Sequence, residues 1–292
     1  MDLTIFSIFL AGSRTYFYST IFFPPHIRDD VFVLYSFVRT ADDYVDAVPQ
    51  QTEEFYAFTD AYRRAAAGEA TGDPVIDGFA ALAKRRQFDP GWADAFLGSM
   101  EQDITTGQYE TEEDLLGYLY GSSEVVGLMM ARILRLPVDA YPAARLLGRA
   151  MQHINFIRDI PEDLELGRVY FPQEALGRFG LSGLEYSHVR QHPAAFDGFL
   201  RDQLHRYCTW QGMAEDGFAA IPTRSLIPVK TASDMYRWTA LRIYRQPRIV
   251  YAKKVKPSIP RIVSAALYNA VALPSGRSRA DAPRMPSLQS EE

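Results

Sequence analysis

The 292 residues carry 31 basic and 36 acidic side chains, a net charge of −5 with no long run of either sign, which excludes the basic footprint of a nucleic-acid binder. A single cysteine, Cys208, excludes an intramolecular disulfide and fits a reducing compartment; with no base motif beside it, it reads as a small hydrophobe, not a nucleophile. The 47% hydrophobic content, with 17 Tyr and 18 Phe, suits a globular chain with a sizeable aromatic core.

Taken in chain order, "MDLTIFSIFLAGS" has an apolar run from Ile5 to Ala11. It lacks a positive n-region and a small-x-small cleavage site, so it is not read as a signal peptide. No stretch reaches the ~18 apolar residues of a membrane span. The expectation is a cytoplasmic chain, soluble or peripheral to a membrane.

Helical periodicity then dominates, over roughly His26–Val48, Gln51–Ala67, Pro74–Lys84, Pro90–Thr105, Glu112–Leu134, Ala140–Ile160, Pro193–Ala220 and Lys230–Tyr244. Stretches such as "GEATGDP", "RLPVDAYP" and "LGRFGLSG" punctuate the helices. The basic stretch "YAKKVKPSIPR" leads into a last apolar helix, Ile262–Leu273. The expectation is one all-α domain over residues 1–273, followed by a disordered tail, 274–292, rich in Pro, Ser and charge.

Two acidic clusters stand out. In "FVRTADDYVD", Val31, Tyr35, Val38 and Val45 form one apolar stripe, and Asp42 falls on it. At about 100° per residue, Asp46 and Arg39 lie on the same side as Asp42. A helix turns such a face to the core, where an ionised carboxylate is costly unless paired or bound to a metal. In "QHINFIRDIPEDLELGRVYFP", Asn155, Asp159 and Asp163 recur at i, i+4 and i+8, a row about 12 Å long if the helix persists. Oxygen ligands without His or Cys suit a hard cation; magnesium in particular takes one or two carboxylates plus substrate phosphates. Arg39 and Arg158 stand beside the rows to neutralise phosphate charge. The bland alternative for the second row is a solvated face, but Met151, Phe156 and Ile160 flank it and make the helix apolar nearly all round. Pro161 deletes a helical hydrogen bond, so a kink is expected between Asp159 and Asp163.

These segments resemble the squalene/phytoene synthase family, the head-to-head branch of the all-α isoprenoid synthase fold. "LYSFVRTADDYVD" is similar to its first aspartate-rich motif, and "NFIRDIPEDLELGRVYFP" to its second. The resemblance implies magnesium held by Asp42, Asp46, Asn155, Asp159 and Asp163. In "GSRTYFYSTIFFPPHIR" it places Arg14, Thr15 and Tyr16 over a diphosphate. In "YLYGSSEVVGLMM" it places Tyr118, Ser123 and Gly127 along the prenyl channel, with Tyr118 catalytic. It makes Tyr236 a pocket residue and gives Lys253, with Arg39 and Arg158, a diphosphate to bind. Pro161 stands where the family commonly has Gly, and Ser123 and Glu124 where it has small residues; Glu124 is expected to point away from the pocket.

The implied reaction joins two prenyl diphosphates through a cyclopropylcarbinyl diphosphate. The reading taken is two geranylgeranyl diphosphates to phytoene. The alternative is squalene or dehydrosqualene from two farnesyl diphosphates, with NADPH needed only for squalene. A non-catalytic lipid-binding or assembly protein on the same fold is the reading from another class, opposed by the intact acidic residues. Head-to-tail prenyl transfer is opposed by the "GRVYFP" segment. For a lipid product, peripheral membrane contact through Lys253 to Arg261 is a further expectation.

Overall fold

The computed structural model describes residues 3–12 and 20–273. Arg14, Thr15 and Tyr16, and the tail 274–292, lie outside the described residues. Among those described there is no strand, only one isolated parallel bridge between Gln108 and Val169.

After α1 (Leu3–Gly12) comes the long α2 (Pro25–Asp46), opened by Pro25 in its first turn, where a missing N–H costs nothing. Helices α3 (Thr52–Ala66), α4 (Pro74–Arg86) and α5 (Pro90–Thr105) follow. The carboxylate of Asp73 accepts from the Val75 and Ile76 N–H groups at the start of α4, and Arg85 and Arg86 lie in its last turn, complementing the helix dipole at both ends. The expected single helix over Glu112–Leu134 is instead α6 (Glu112–Leu119), a π-helical turn at Tyr120–Glu124, and α7 (Val125–Ile133). A Thr111–Asp114 capping box starts α6.

The central helix is α8 (Tyr141–Arg158), which packs along α12 (Pro193–Glu215) more extensively than any other pair of helices touches. Between α8 and α12 run α9 (Ile160–Glu165), α10 (Gln173–Gly177) and α11 (Tyr186–Val189). Then come α13 (Thr223–Arg245), longer at its start than the sequence suggests and running through Pro228, and α14 (Ile249–Ala252) and α15 (Ile259–Ala272). No helix among the described residues is long and apolar enough to cross a membrane. Cys208 sits against the core of α12, and burial pushes its thiol up to about 11, leaving it protonated and inert.

Two glycines set the spacing of the central helices. A Cβ on Gly127 of α7 would lie 2.2 Å from the Ala144 carbonyl oxygen, and one on Gly148 of α8 would lie 2.3 Å from that of Ser123. Both neighbours are backbone and cannot swing aside. Gly148→Ala is therefore expected to destabilise by about 1–3 kcal/mol through overpacking, read as a drop in urea midpoint. An unchanged midpoint would show that the two helices can part.

Glu124 is fully buried and receives Arg145 at 2.8 Å and Arg149 at 2.6 Å, both from α8. It points into the interface with α8, as expected, not into the space between α2, α7, α8 and α13. That space is an apolar cavity of about 260 Å³, far larger than the ~30 Å³ share of one water and so not a packing defect. Tyr35, Val38, Met130, Leu147, Met151 and Val229 line it.

Candidate active site

The acidic end of α2 and the break after α8 meet at one end of this cavity. On α2, Tyr35 and Val38 face the cavity while Phe37 and Ala41 fill the core behind, so Asp42 and Asp46 arrive at the cavity mouth one and two turns later. Arg39 donates to Asp42 at 2.8 Å and also pairs with the exposed Asp43. It is thus tied to its own helix, with a face still open to the mouth.

The second row does not run as one helix. Pro161 has no N–H to return to the previous turn, and the chain bends at Asp159 (φ −104°, ψ 15°), which ends α8 and starts α9. The hydrogen-bond ladder nonetheless steps across the bend: the Asp159 N–H donates to the Asn155 carbonyl at 2.8 Å, and the Asp163 N–H to that of Asp159 at 2.9 Å. The kink expected from Pro161 is present, and the three side chains remain one row.

The charges show that the rows face each other. Asp163 is held well above the usual carboxylate range by burial and by the charges of Asp159 and Asp46. Asp42 is pushed up to about 8 by burial and the charge of Asp46, against the pull of Arg39. Asp159 differs: burial would raise it, but the Arg158 fork, which binds both its oxygens, and Lys254 at 3.1 Å hold it below its ordinary value. Lys254 also reaches Glu162 at 3.1 Å. Lys256 is pulled down by burial and by the positive charges of Arg158 and Lys254. The site therefore has two unbalanced halves: carboxylates that repel one another, and beside Asp159 a cationic group in excess. A divalent cation relieves the first and a phosphate the second.

No three of the described acidic, His or Cys side chains converge closely enough to hold a metal ion alone. That fits magnesium, which completes its shell with phosphate oxygens and water. The donor set fits as well. Besides the raised carboxylates, the side-chain Oδ1 of Asn155 is buried at the cavity's end with no hydrogen-bond partner, although its amide nitrogen donates towards Gln152 at 3.4 Å. A buried orphan acceptor of this kind is costly until a cation or donor meets it.

A sequence profile described as squalene/phytoene synthase matches residues 10–262. The chain belongs to the squalene/phytoene synthase family. It is 30% identical to the 15-cis-phytoene synthase of Paracoccus sp. over 257 residues, 85% of this chain and 83% of that one. It is 27% identical to the 15-cis-phytoene synthase of Pantoea ananas, covering 94% and 92%. A ligand-bound crystal structure of a dehydrosqualene synthase superposes with a TM-score of 0.80 at 24% identity, covering 93% and 95%. A squalene synthase of Alicyclobacillus acidocaldarius gives 0.74 at 23%, covering 83% and 92%. Both share the all-α fold of this chain.

In this synthase the described site residues are placed as follows. Asp42, Asp46, Arg39, Asn155, Arg158, Asp159 and Asp163 come together at the mouth. Ser123 and Gly127 line the cavity, the Ser123 hydroxyl donating back to the Leu119 carbonyl at 2.8 Å. Tyr236 is buried on α13 within electrostatic reach of Tyr35 and Arg158. Tyr118 lies beneath the mouth, its hydroxyl donating to Asp103 at 2.7 Å. Lys253 is exposed and makes no ion pair among the described residues, and the chain turns its neighbour Lys254 onto Asp159.

Sequence reasoning passed over Asp103, Arg168 and Tyr170. Gly167, at φ +75°, ends α9 in a left-handed turn that sends the Arg168 N–H back to the Asp163 carbonyl at 2.8 Å. The Val169 N–H then docks on the Gly107 carbonyl at 2.8 Å, laying the segment beside the end of α5. Arg168 is thereby buried under α2, donating to Asp46 at 2.6 Å and to the Val45 carbonyl. Asp103 accepts from Tyr118 at 2.7 Å and Tyr170 at 2.8 Å and lies 3.9 Å from the Arg168 guanidinium. Burial raises Asp103 to about 6, opposed by Arg168 and the two tyrosines.

The raised carboxylates carry a sign that can be tested. A group whose folded pKa exceeds its unfolded value holds extra protons when folded, so stability is lost as pH climbs from the unfolded value towards the folded one. Asp42, Asp103 and Asp163 all act in this sense, and metal-free protein is expected to lose melting temperature between about pH 4 and 8. Magnesium with inorganic diphosphate favours the ionised forms and should raise the melting temperature more at pH 8 than at pH 6. Equal shifts at both pH values would contradict the facing-row geometry.

Proposed function

We propose that this synthase condenses two geranylgeranyl diphosphates head to head to give phytoene, in a magnesium-dependent reaction. The observation that supports it best is the meeting of Asp42 and Asp46 with Asp163 at the mouth of an apolar cavity; the curated relatives named phytoene synthase favour the C20 substrate. Magnesium, held by Asp42 and Asp46 on one side and Asn155, Asp159 and Asp163 on the other, would supply Lewis-acid charge to the departing diphosphate.

The chain's own groups do the rest. Arg158, Lys254 and Lys256 receive diphosphate oxygens, with Arg39 on the facing helix; as the anion enters, Lys254 exchanges its bond to Asp159 for one to phosphate. Asp46 is kept aimed at the mouth by Arg168. The allylic cation left behind lies among Tyr35, Tyr236 and apolar side chains that exclude water, and a ring face over a cation contributes about 0.5–2 kcal/mol. The 2,3 double bond of the second substrate attacks that cation, and the new cation so formed loses a C1 proton of the first substrate to the released diphosphate, closing the cyclopropane ring. The cyclopropylcarbinyl diphosphate so formed ionises at the same cationic group, rearranges to the C1–C1 linkage, and loses a proton.

Incubation with magnesium and either geranylgeranyl or farnesyl diphosphate, with and without NADPH, tests the proposal by mass spectrometry of extracted hydrocarbons. A C40 hydrocarbon from the C20 substrate, formed without NADPH, is expected. A C30 hydrocarbon alone would replace phytoene by dehydrosqualene, or by squalene if NADPH were required. No coupled product from either substrate would leave a lipid-binding role.

A further inference from the structure

At the far end of α8 from the acidic mouth lies a second cleft, of about 460 Å³, whose walls are Arg85, Arg86, Gln87, Arg132, Arg135 and Leu136. Four guanidinium groups line it. Among the described residues Asp30 is the one carboxylate that touches any of them, pairing with Arg85 and Arg86, so three positive charges are left in excess. Part of this is structural. Arg132 donates to the carbonyls of Arg86 and Gln87 and thereby caps the C-terminus of α4, and Arg86 is buried against Asp30. Arg85 and Arg135 are different. Arg85 keeps 57% of its side chain in water, and Arg135 is exposed with no ion-pair partner among the described residues.

Two further observations single out this cleft. Gln87 (φ 55°) and Arg135 (φ 57°) are the only non-glycine residues with positive φ among those described, and both line it. A glycine would adopt either conformation without a Cβ penalty, yet the chain holds long polar side chains there. The cleft also neighbours the reaction cavity, for Leu136 forms part of both walls. Immediately beyond, Pro137 is exposed and Val138 is 70% exposed, an apolar tip beside a cationic cleft.

We propose that the arginine cleft is a binding site for the phosphate of an anionic phospholipid, and that Val138 enters the lipid beside it, docking the Leu136 end of the cavity on a membrane. The chemistry recognised is a phosphate group, and the apolar tip together with the shared Leu136 wall favours the lipid over free phosphate. The docking has a purpose only if the product is a hydrocarbon, so its rationale rests on the proposed function. Its test does not, because it is read without turnover.

The probes are phosphatidylcholine vesicles with and without phosphatidylglycerol, scored by flotation. The proteins are the wild type and an R85Q/R135N variant, whose asparagine tolerates the left-handed backbone and which leaves Arg86 on Asp30. The wild type is expected to float with the anionic vesicles only, and less so as salt rises. The variant should bind about 5-fold more weakly per lost arginine, about 25-fold for the pair, with its helical fold retained by circular dichroism. An R85K/R135K variant, which keeps the charge, should retain most of the binding and separates charge loss from misfolding. Val138→Asp should weaken binding even where the arginines are intact. The proposal is overturned if the R85Q/R135N variant floats like the wild type, or if neutralising Lys253 and Lys256 abolishes flotation while R85Q/R135N does not. Calorimetric binding of inorganic phosphate that is lost in R85Q/R135N, without any vesicle association of the wild type, would likewise overturn it, assigning the arginines to a soluble anion.

Discussion

Asp42→Asn is expected to lower turnover by about 10³-fold, the scale of removing one electrostatic stabiliser of a developing charge, while making the metal-free protein more stable. The two effects have one cause. Asp42 stands at the cavity mouth with Asp46 and Asp103 as negative neighbours, and burial and these charges push it up to about 8. Ionising it in the folded state costs energy that amide substitution removes. With 34% of its side chain open to water the cost is screened, so a gain of a few degrees in melting temperature is the expected size. Asp163→Asn should behave alike, because it feels Asp159 along its own row and Asp46 across the same gap. Asp159→Asn should lower turnover without the stability gain, since Asp159 is already satisfied by Arg158 and Lys254. Kinetics at saturating magnesium, paired with thermal melts in chelator, separate these cases. A variant at Asp42 that keeps wild-type turnover, or that melts lower than the wild type in chelator, would remove the metal-site reading of this face.

Much of this site was readable because its signal is local. A carboxylate on the Val31–Tyr35–Val38 stripe conflicts with the ordinary use of an apolar face, and the conflict is visible within one helix; the structure resolves it by making that face a cavity wall. The i, i+4, i+8 row survived Pro161 because the break at Asp159 preserves the hydrogen-bond stepping on either side. What escaped depends on approach between distant segments. The π-helical turn at Tyr120–Glu124 lies where α6 and α7 press on α5 and α8, and Gly121, whose Cβ would lie 2.2 Å from the Ala95 carbonyl, is part of that contact. Periodicity within Glu112–Leu134 contains no trace of it. Lys253 and Lys254 are adjacent and chemically alike, so only the extended backbone after α14 decides which one reaches Asp159. Asp103 on α5 carries no acidic partner nearby in sequence, and its role appears only when Tyr118, Arg168 and Tyr170 converge on it from three later segments.

That convergence makes Arg168→Met the most damaging single change expected outside the proposed metal ligands. Arg168 is 4% exposed and serves two carboxylates from opposite sides, Asp46 on the site and Asp103 beneath it. Removing it leaves Asp103 buried with only two phenolic donors, and removing one partner of a buried pair costs about 3–5 kcal/mol. It also frees Asp46, whose orientation otherwise follows from the 2.6 Å bond to the guanidinium; loss of a residue that aims a metal ligand costs about 10–100-fold in affinity or activity. The two losses are separable. In an R168M/D103N double variant the buried charge is gone, so most of the stability should return, whereas turnover should stay low because Asp46 is still unheld. Urea unfolding of the two variants, with kcat and the magnesium dependence of each, makes the comparison. If the double variant regained turnover together with stability, Arg168 would serve only to neutralise Asp103. If it regained neither, the Asp103–Tyr118–Tyr170 cluster would need its charge for folding itself. The expected split, stability restored and turnover not, would make Arg168 the residue that transmits a fixed core position to the first acidic row.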